Sequence, residues 1–467
     1  MALYSSLLRT AVLPWLLARD NRQSALQHWR YFEKSQYWPR QQLLDYQWQK
    51  LTVMLRHAYD TCPFYRRLYD EHGVTPDSVR DFSDLTRLPV LTRDDIVKHG
   101  KELISSKYKI EDLQTFVTGG TTGVRTELYR DQESANIKLG IQWRHEGWVG
   151  RKPCDKIFLV WPANVDIVHA SSWKEAFKDR YLNRQLQYHA GSHRDEELMH
   201  VYNVAKRFNA RFLKVFPSSL QTLAEFMQRA NVPRLYYKSI MSTGEPLYGH
   251  QRRLFEDFFE AEVFDMYGSR EVGNTACESP AHHGMLIVME TSIVEFLEEN
   301  KPVPYGERGN IIITDLTNFG MPMIRYDIND KGVPLEGISP CGRELLMMDS
   351  AIGRDTDNVW THEGVCHSGH ILEYVLIDYA PDVSQIQIIQ KTLFDFHFRI
   401  VNRPEPTQRL YDHIDVELRK LFGPQAKATI ELVDRIPQEK SGKVRSVICE
   451  LDQETIKRVA ALKGGRQ

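Results

Sequence analysis

Short apolar runs alternate with helical stretches along residues 110–270, and this alternation constrains the fold more than any other feature of the sequence. KIFLVWP (156–162) and RFLKVFP (211–217) are strand-like runs that end in proline. QTLAEFMQRA (221–230) has apolar residues at helical spacing, and KSIMSTGE (238–245) reads as a strand followed by a turn. Strands that alternate with helices predict a parallel sheet covered by helices on both faces.

The segments on either side of this region have a different character. Residues 1–110 are predicted to be largely helical, and the helix within residues 41–73 should end before Pro63. Residues 285–330 read as β-strands joined by polar turns, which indicates a β-rich subdomain. We therefore expect an α/β fold with a large amino-terminal domain of helix-covered sheets that includes this subdomain.

The carboxyl-terminal residues repeat the pattern on a smaller scale. Residues 384–401 predict a β-hairpin, residues 407–423 a helix and residues 428–437 a strand. A β–α–β module of about 115 residues can fold as its own domain, and the boundary is placed near Arg354. The predicted domains are a large one over 1–353 and a small, mobile α+β one over 354–467.

Composition and charge exclude several classes of protein. Hydrophobic residues make up 42% of the 467 residues and aromatic residues 11%, which excludes a disordered, collagenous or disulfide-scaffold chain. Lys plus Arg is 60 and Asp plus Glu is 62, so the chain has no global electrostatic affinity for nucleic acid or anionic lipid. Six scattered cysteines indicate reduced thiols, and the expected location is the cytoplasm.

The apolar residues 2–18 need a separate test for membrane insertion. They lack a basic leader and are interrupted by Arg9 and Pro14, so the segment is too short and too broken for a transmembrane helix. We expect an amphipathic helix packed on the body of the protein. Peripheral membrane contact is the alternative.

The hexapeptide TGGTTG (118–123) is the first candidate for chemistry. Its glycines permit positive φ and close backbone approach, and its threonine hydroxyls add donors. Such a loop suits phosphate oxygens, although no GK[ST] follows and it is not a Walker loop. A tight turn without a ligand is the alternative.

Two further motifs lie where predicted strands end, which is where ligands bind in open α/β sheets. STGEP (242–246) is one of them, and an ordinary strand–helix turn is its alternative. In the other, MYGSRE (266–271), Tyr267 can stack on a flat ring and Glu271 can ligate Mg²⁺ together with substrate phosphates. Its alternative is a solvated loop with a Glu–Arg pair.

Three polar segments follow in the second half of the chain. MPMIRYDINDKG contains Asp327 and Asp330, and a carboxylate is a natural acceptor for two ribose hydroxyls. In IGRDTDN, Arg354 can donate to ribose or phosphate, and in PQEKSGKVRSV a lysine beside glycine, Lys443, can neutralise charge on a phosphoryl group. Each segment alone is an ordinary solvated loop.

In these six motifs and their order, the sequence resembles the adenylate-forming superfamily. Within it, the chain is similar to the phenylacetate–CoA ligase branch, close to its capsular-polysaccharide-cluster members, over nearly its whole length. The resemblance implies an AMP-forming ligase that uses ATP and Mg²⁺. A carboxylic acid would become an acyl-adenylate with release of pyrophosphate, and the acyl group would pass to the thiol of CoA, an amine or a hydroxyl.

The resemblance also implies roles for individual residues. The catalytic set would be Lys443, Glu271 and Thr122, with Lys443 contacting the substrate carboxylate and the α-phosphate, and Glu271 holding Mg²⁺. The loop for the β- and γ-phosphates would be Thr118, Gly119, Gly120, Thr121, Thr122 and Gly123. The remaining nucleotide contacts would be Ser242, Gly244 and Glu245 near adenine, Tyr267 stacking beside Gly268, Asp330 on the ribose, and Arg354 assisting.

Three positions depart from the family pattern, and the position of the hinge residue has two alternatives. Gly119 replaces a frequent Ser, Arg270 a frequent Thr, and Asn329 a frequent Gly. These changes keep the charge chemistry and affect only the transfer of substrate identity. The hinge between the domains falls on Asp355 or Asp357.

A zinc site is a further expectation taken from relatives. Cys277 and His283 form C-x5-H, and Cys341 follows, but Ser339 stands where such relatives carry another cysteine. Three ligands remain where structural zinc prefers four, so His282 or a water would have to complete the site. A degenerate loop without metal is the alternative.

The expected partners are a small-molecule carboxylate and an acceptor, with no nucleic acid and no transmembrane segment. Oligomerisation is left open. An aryl acid, a sugar acid and an amino acid all remain possible substrates. Two other functions compete with the ligase: a catalytically idle nucleotide-binding scaffold and a nucleotide hydrolase, the latter disfavoured because the Walker residues are missing.

Overall fold

Among the residues that the structure describes, nine strands form the central sheet, in the order β14-β15-β9-β8-β7-β6-β5-β3-β4. The computed structural model of the chain describes residues 2–118, 126–161, 177–189, 195–349, 358–364, 366–368, 385–401, 408–436, 445 and 447–464. The strands of this sheet are β3 (Ile157–Trp161), β4 (Gln185–His189), β5 (Phe212–Val215), β6 (Ser239–Thr243), β7 (Glu262–Ser269), β8 (Gly273–Glu278), β9 (Met285–Ile287), β14 (Pro334–Leu335) and β15 (Met347–Met348).

The sheet is parallel in one half and antiparallel in the other. Strands β3 to β7 pair in parallel, as the strand–helix alternation predicts. Strand β8 turns back on β7 as a hairpin, and β9, β15 and β14 continue antiparallel. The change of direction at β7 matters for function because it places Glu271 in a short hairpin turn rather than in a crossover connection.

Helices cover both faces of the parallel half, as predicted. On one face, Phe158, Leu213 and Ile240 of the sheet join a core with three helices. On the other face, Met241 and Phe264 pack with residues of two further helices. The first three helices are α8 (Asp195–Phe208), α9 (Pro217–Arg229) and α10 (Gly249–Phe259), and the other two are α4 (Arg40–Thr61) and α7 (Gln132–Trp148).

The first 110 residues are largely helical, as expected, and α4 ends at Thr61 before Pro63. In the amino-terminal segment, Leu8, Leu13 and Leu17 are buried against the body of the protein. None of the helices in the described ranges is long and apolar enough to cross a membrane. Besides α4, these helices are α1 (Ala2–Leu7), α2 (Leu13–Arg19), α3 (Ser24–Ser35), α5 (Pro63–Glu71) and α6 (Arg93–His99), with a π-helical turn at Leu8–Val12.

Contacts far apart in sequence attach these helices to the rest of the molecule. The Ser35 hydroxyl donates to Glu290 Oε1 (2.6 Å), 255 residues later in the chain. The Gln47 side-chain amide donates to the carbonyl oxygen of Ser292 (2.8 Å). The main-chain N–H of Arg40 donates to the Glu344 carboxylate (2.8 Å), 304 residues away. The amino-terminal helices are therefore held by partners from the middle of the chain.

The predicted β-rich subdomain divides between two sheets. Strand β9 belongs to the central sheet, whereas the strands that follow form a four-stranded antiparallel sheet in the order β11-β10-β12-β13. They are β10 (Ser292–Glu298), β11 (Lys301–Pro302), β12 (Gly309–Asp315) and β13 (Tyr326–Gly332). A separate antiparallel hairpin consists of β1 (Gln114–Thr118) and β2 (Thr126–Arg130).

The carboxyl-terminal residues contain the predicted hairpin, helix and strand around their own core. In the sheet β20-β19-β18-β21, β18 and β19 are antiparallel and β19 pairs in parallel with β20. The helix ends at Phe422, before Gly423, whose φ is +95°. These elements are β16 (Asn358–Trp360), β17 (Cys366–Ser368), β18 (Gln385–Gln390), β19 (Asp395–Val401), α11 (Gln408–Phe422), β20 (Lys427–Leu432), β21 (Val447–Cys449) and α12 (Gln453–Gly464). The predicted boundary at Arg354 lies outside the described residues, so the division into two domains stays a prediction.

Candidate nucleotide site

The turn after β6 has a backbone that only glycine fits. Gly244 has a φ of +81°, and a Cβ built on it would lie 2.4 Å from the ring of Phe216. Ser242, two residues earlier, is fully buried at the end of the strand. After the strand, the backbone of Gly244 therefore packs on the aromatic ring with no side chain between them. The next residue, Glu245, is half-buried.

Strand β7 brings the second strand-end motif beside the first. Ser242 pairs with Asp265 and Thr243 with Met266 in parallel register. The register with β8 shifts between Tyr267 and Gly268, and a Cβ on Gly268 would lie 2.6 Å from the carbonyl oxygen of Gly273. The glycine thus permits a tight bulge that separates Tyr267 from the turn with Glu271.

Tyr267 and Asp330 meet across the two sheets. The Tyr267 hydroxyl donates a hydrogen bond to Asp330 Oδ2 over 2.9 Å. Burial and the neighbouring Asp330 carboxylate raise the pKa of Tyr267 well above its ordinary value, so the phenol stays protonated as a donor. The arrangement sets an aromatic ring beside a carboxylate, which suits a flat base attached to a sugar diol.

Two cations that no sequence motif indicated hold the turn of Glu271. Arg130 Nη2 donates to the carbonyl oxygen of Arg270 (2.7 Å), and Lys138 Nζ donates to that of Val272 (2.6 Å). Burial lowers the pKa of both cations from its usual value, and nearby carboxylates oppose the shift. Neither hydrogen bond could be predicted from a local sequence pattern, because more than 130 residues separate the donor from the acceptor.

Several predicted site residues lie outside the described residues. They are Gly119, Gly120, Thr121, Thr122 and Gly123 of the phosphate loop, Arg354, the alternative hinge residues Asp355 and Asp357, and Lys443. The strands that lead into and out of the loop are described, and Thr118 pairs with Thr126 where β1 meets β2. The roles of these residues stay predictions.

The predicted zinc ligands do not form a metal site. Over the described ranges, which include all of Cys277, His283 and Cys341, no group of three or more His, Cys, Asp or Glu residues could hold a metal ion. The Cys277 thiol is fully buried and donates to the carbonyl oxygen of Glu278, and burial raises its pKa, which opposes the thiolate that zinc requires. His283 is exposed. The structure therefore gives no support to the predicted zinc site at these residues.

Cys341 has other partners. Burial opposes ionisation of its thiol, but hydrogen bonds with Ser339, Ser279 and Arg343 outweigh this effect and lower the pKa to about 7. Ser339, the residue that replaces a cysteine in the expected zinc motif, is thus a hydrogen-bonding partner of Cys341. The polar contacts give this thiol a structural setting without metal.

A buried acidic pair lies behind the candidate site. Glu278 accepts two hydrogen bonds from Arg252 Nη2 (2.8 and 2.9 Å) and one from the main-chain N–H of Asp265 (2.8 Å). Burial, and next the charge of Glu278, raise the pKa of Asp265 to about 7. Because Arg252 is engaged with Glu278, Asp265 is the less compensated carboxyl of the pair.

The chain is similar to several known proteins. The CapK C-terminal domain family matches residues 359–450. Phenylacetate-coenzyme A ligase of Thermus thermophilus is 24% identical over 445 residues, with 88% of this chain and 97% of the relative covered. Protein CapK of Staphylococcus aureus is 21% identical, with 87% and 89% covered.

A solved structure shows the same fold. The 2-hydroxyisobutyryl-CoA ligase in the postadenylation state, in complex with R3-HIB-AMP, has a TM-score of 0.72 and 19% identity, and the match covers 92% of this chain and 96% of that one. The chain is thus similar over nearly its whole length to phenylacetate-coenzyme A ligases, contains a match to the CapK C-terminal domain family and shares the fold of a CoA ligase, and the relatives support an AMP-forming ligase of the adenylate-forming superfamily, in its phenylacetate–CoA ligase-like branch.

Proposed function

We propose that the chain activates a carboxylic acid with ATP and transfers the acyl group to an acceptor. In the first step a carboxylate oxygen bonds to the α-phosphorus, the bond to the β-phosphate breaks, and pyrophosphate leaves. The observation that carries this proposal is the Tyr267–Asp330 hydrogen bond across the two sheets, one short turn from Glu271. This bond joins the residue that we propose for the base to the residue that we propose for the ribose. The residue that we propose for Mg²⁺ lies in the turn that follows.

The chemical difficulty of the first step is electrostatic, because an anion must approach a polyanion. Glu271, together with phosphate oxygens, is a suitable ligand set for Mg²⁺, which when bound neutralises phosphate charge. The loop 118–123 supplies main-chain N–H groups to the β- and γ-phosphates, with the Thr122 hydroxyl among the donors. Lys443 contacts the substrate carboxylate and the α-phosphate, where its charge favours the transition state.

The nucleoside is held by the described residues. Asp330 accepts from the ribose hydroxyls, and the ring of Tyr267 stacks near the base. The turn Ser242–Glu245 lies against the adenine, and Gly244 lets the turn pack directly on the ring of Phe216 because it has no side chain. Arg354 assists at the ribose or phosphate.

In the second step the small domain rotates about residues 355–357 and removes Lys443 from the site. The acceptor atom attacks the acyl carbon, and the bond to AMP breaks. CoA is the acceptor that the names of the relatives favour, and an amine or a sugar hydroxyl are the alternatives. We place the reaction in the cytoplasm, and the resemblance to capsular-polysaccharide-cluster members favours a setting in capsular polysaccharide synthesis.

The test is a measurement of pyrophosphate release over a panel of aryl, sugar and amino acids, with hydroxylamine as the trap. Wild type, Lys443→Ala and Lys440→Ala are compared, since Lys440 is a nearby lysine of the same segment. We expect a hydroxamate that depends on Lys443 and not on Lys440. Mg·ATP binding without pyrophosphate release on any acid would instead support an idle nucleotide-binding scaffold, and orthophosphate as the product would indicate a hydrolase.

A further inference from the structure

Main-chain hydrogen bonds hold the turn of Glu271 on both sides. Strand β7 ends at Ser269 and β8 begins at Gly273, so Glu271 is the middle residue of a three-residue connection. The carbonyl before it, of Arg270, accepts from Arg130, and the carbonyl after it, of Val272, accepts from Lys138. Both donors are cationic side chains from other elements, and charged donors make stronger hydrogen bonds than neutral ones.

The first cation belongs to the hairpin of the phosphate loop. Arg130 is the last residue of β2, which begins at Thr126 immediately after the loop. Its guanidinium lies over the ring of Phe116 on β1, 4.5 Å from the ring centre. The hydrogen bond to Arg270 therefore ties the turn of Glu271 to the same two strands that carry the phosphate loop.

The second cation is itself fixed in place. Lys138 Nζ forms an ion pair with Asp315 Oδ2 (2.7 Å), and the Asp315 side chain is only 1% exposed. Asp315 Oδ1 accepts from the N–H (2.9 Å) and the hydroxyl (2.6 Å) of Thr317. A Cβ on Gly273 would lie 2.9 Å from Lys138 Cδ, so the lysine runs directly against the end of the turn.

We propose that Arg130 and Lys138 are positioning residues that fix the turn of Glu271 against the hairpin of β1 and β2 and against α7 and β12. Their role is to couple metal binding to triphosphate binding, because one cation attaches the turn to the loop's hairpin and the other to α7 and β12. The inference rests on the proposed function in which Glu271 holds Mg²⁺. The cations act through the backbone, so neither needs to touch the nucleotide.

The experiment measures ATP binding by isothermal titration at increasing Mg²⁺ concentration, without any acyl substrate. In Arg130→Met and Lys138→Met, we expect the Mg²⁺ concentration for half-maximal tightening of ATP binding to rise about tenfold, the effect of one charge-assisted hydrogen bond. ATP binding without Mg²⁺ should change by less than about twofold. Lys138→Arg keeps a cation that can reach Val272 and Asp315, and should restore most of the Mg²⁺ dependence.

Lys156→Met is the matched control. Lys156 Nζ also donates to a main-chain carbonyl, that of Phe208 (2.6 Å), and is likewise a partly buried lysine. It should bind ATP and Mg²⁺ as the wild type does. Thermal unfolding of each variant separates a folding defect from a binding defect, and if Lys138→Met does not fold, Arg130→Gln and Lys138→Arg provide the comparison.

Two results would overturn the proposal: an unchanged Mg²⁺ dependence in both methionine variants, or an equal loss of ATP binding with and without Mg²⁺. The outcome is distinguishable from failure of the proposed function. Wild-type protein that couples ATP and Mg²⁺ binding but forms no hydroxamate would refute the ligase and leave the positioning role standing. If the wild type forms a hydroxamate and the methionine variants keep the wild-type Mg²⁺ dependence of ATP binding, the ligase function stands and the positioning role is refuted.

Discussion

The Tyr267 hydroxyl donates a hydrogen bond to Asp330 Oδ2 at 2.9 Å and thereby joins β7 of the central sheet to β13 of the four-stranded sheet. The two residues are 63 positions apart in the chain. The bond orients the carboxylate beside the ring, so the two side chains that we propose for the base and the ribose position each other.

Replacing Tyr267 by Phe keeps the ring and removes this bond. We expect the KM for ATP to rise about three- to tenfold, since a hydrogen bond contributes about 0.5–1.5 kcal/mol, while the KM for the carboxylic acid stays nearly constant. Steady-state pyrophosphate release measures both constants. Tyr59→Phe is the control, because the Tyr59 hydroxyl also donates to an aspartate, Asp70 (2.7 Å), on the outer helices.

Gly244→Ala tests the turn after β6. A Cβ there would overlap the ring of Phe216, and the residue has a φ of +81°. We expect ATP affinity to fall at least about tenfold, because displacing a packed ring costs about 1–3 kcal/mol. Gly306→Ala has a φ of +83° in open space, so it should lose some stability through the backbone and keep ATP binding. Equal ATP affinity in both variants would contradict the proposal that the turn after β6 contacts the adenine.

Asp265 makes stability depend on pH. Its pKa is about 7 in the folded protein against 3.8 as the ordinary value, so between these values the native chain keeps a proton that the unfolded chain releases. The Asp265 carboxyl makes its full contribution to the free energy of unfolding below about pH 4, and this contribution is lost as the pH rises to about 7. Asp265→Asn should therefore exceed the wild type in stability at pH 8, by about 1–4 kcal/mol, and lose this advantage toward pH 4.

Urea unfolding at several pH values measures this difference. Asp412→Asn, at an exposed position on α11, controls for the removal of one carboxyl group. A pH-independent difference between wild type and Asp265→Asn would show that the Asp265 carboxyl has no special cost of ionisation.

Lys443→Ala should separate the two chemical steps. We expect pyrophosphate release to fall about 100-fold or more, whereas acyl transfer from a supplied acyl-adenylate should change less than about threefold. The reason is that the lysine stabilises charge on the α-phosphate only in the first step. Equal loss in both steps would refute this role, and Lys440→Ala shows the effect of removing a nearby charge.

Much of the fold could be predicted because local patterns determine it. The apolar runs of β3 and β5 end at proline or just before it, and α4 ends at Thr61, where Pro63 prevents its continuation. The spacing of apolar residues also predicted the carboxyl-terminal hairpin and helix. The antiparallel half of the central sheet was not predicted, because β9 pairs not only with β8 but also with β15, about 60 residues later, and strand order depends on tertiary packing.

The site was predictable where a motif carries its own chemistry and not where contacts are distant. Tyr267 and Glu271 could be proposed from the end of a predicted strand and Asp330 from the carboxylates of a polar segment, and the structure brings Tyr267 and Asp330 together. Arg130 and Lys138 could not, since a cation that bonds to a remote carbonyl leaves no local pattern. The zinc hypothesis relied on the Cys–His spacing shared with relatives, and that spacing does not show that Cys277 is buried with its thiol bonded to the carbonyl oxygen of Glu278.

The long-range contacts of the amino-terminal helices have a consequence for synthesis. Ser35, Arg40 and Gln47 are translated early, but their partners Glu290, Glu344 and Ser292 follow 245–304 residues later. At about 5–20 residues per second, the ribosome needs on the order of 10–60 s to supply them. During that interval α4 can pack on α5, and α3 can pack on α7 once residue 148 has been made, but the side chains that face the middle of the chain have no native partner. We therefore expect the nascent chain to depend on chaperone binding at its amino-terminal third.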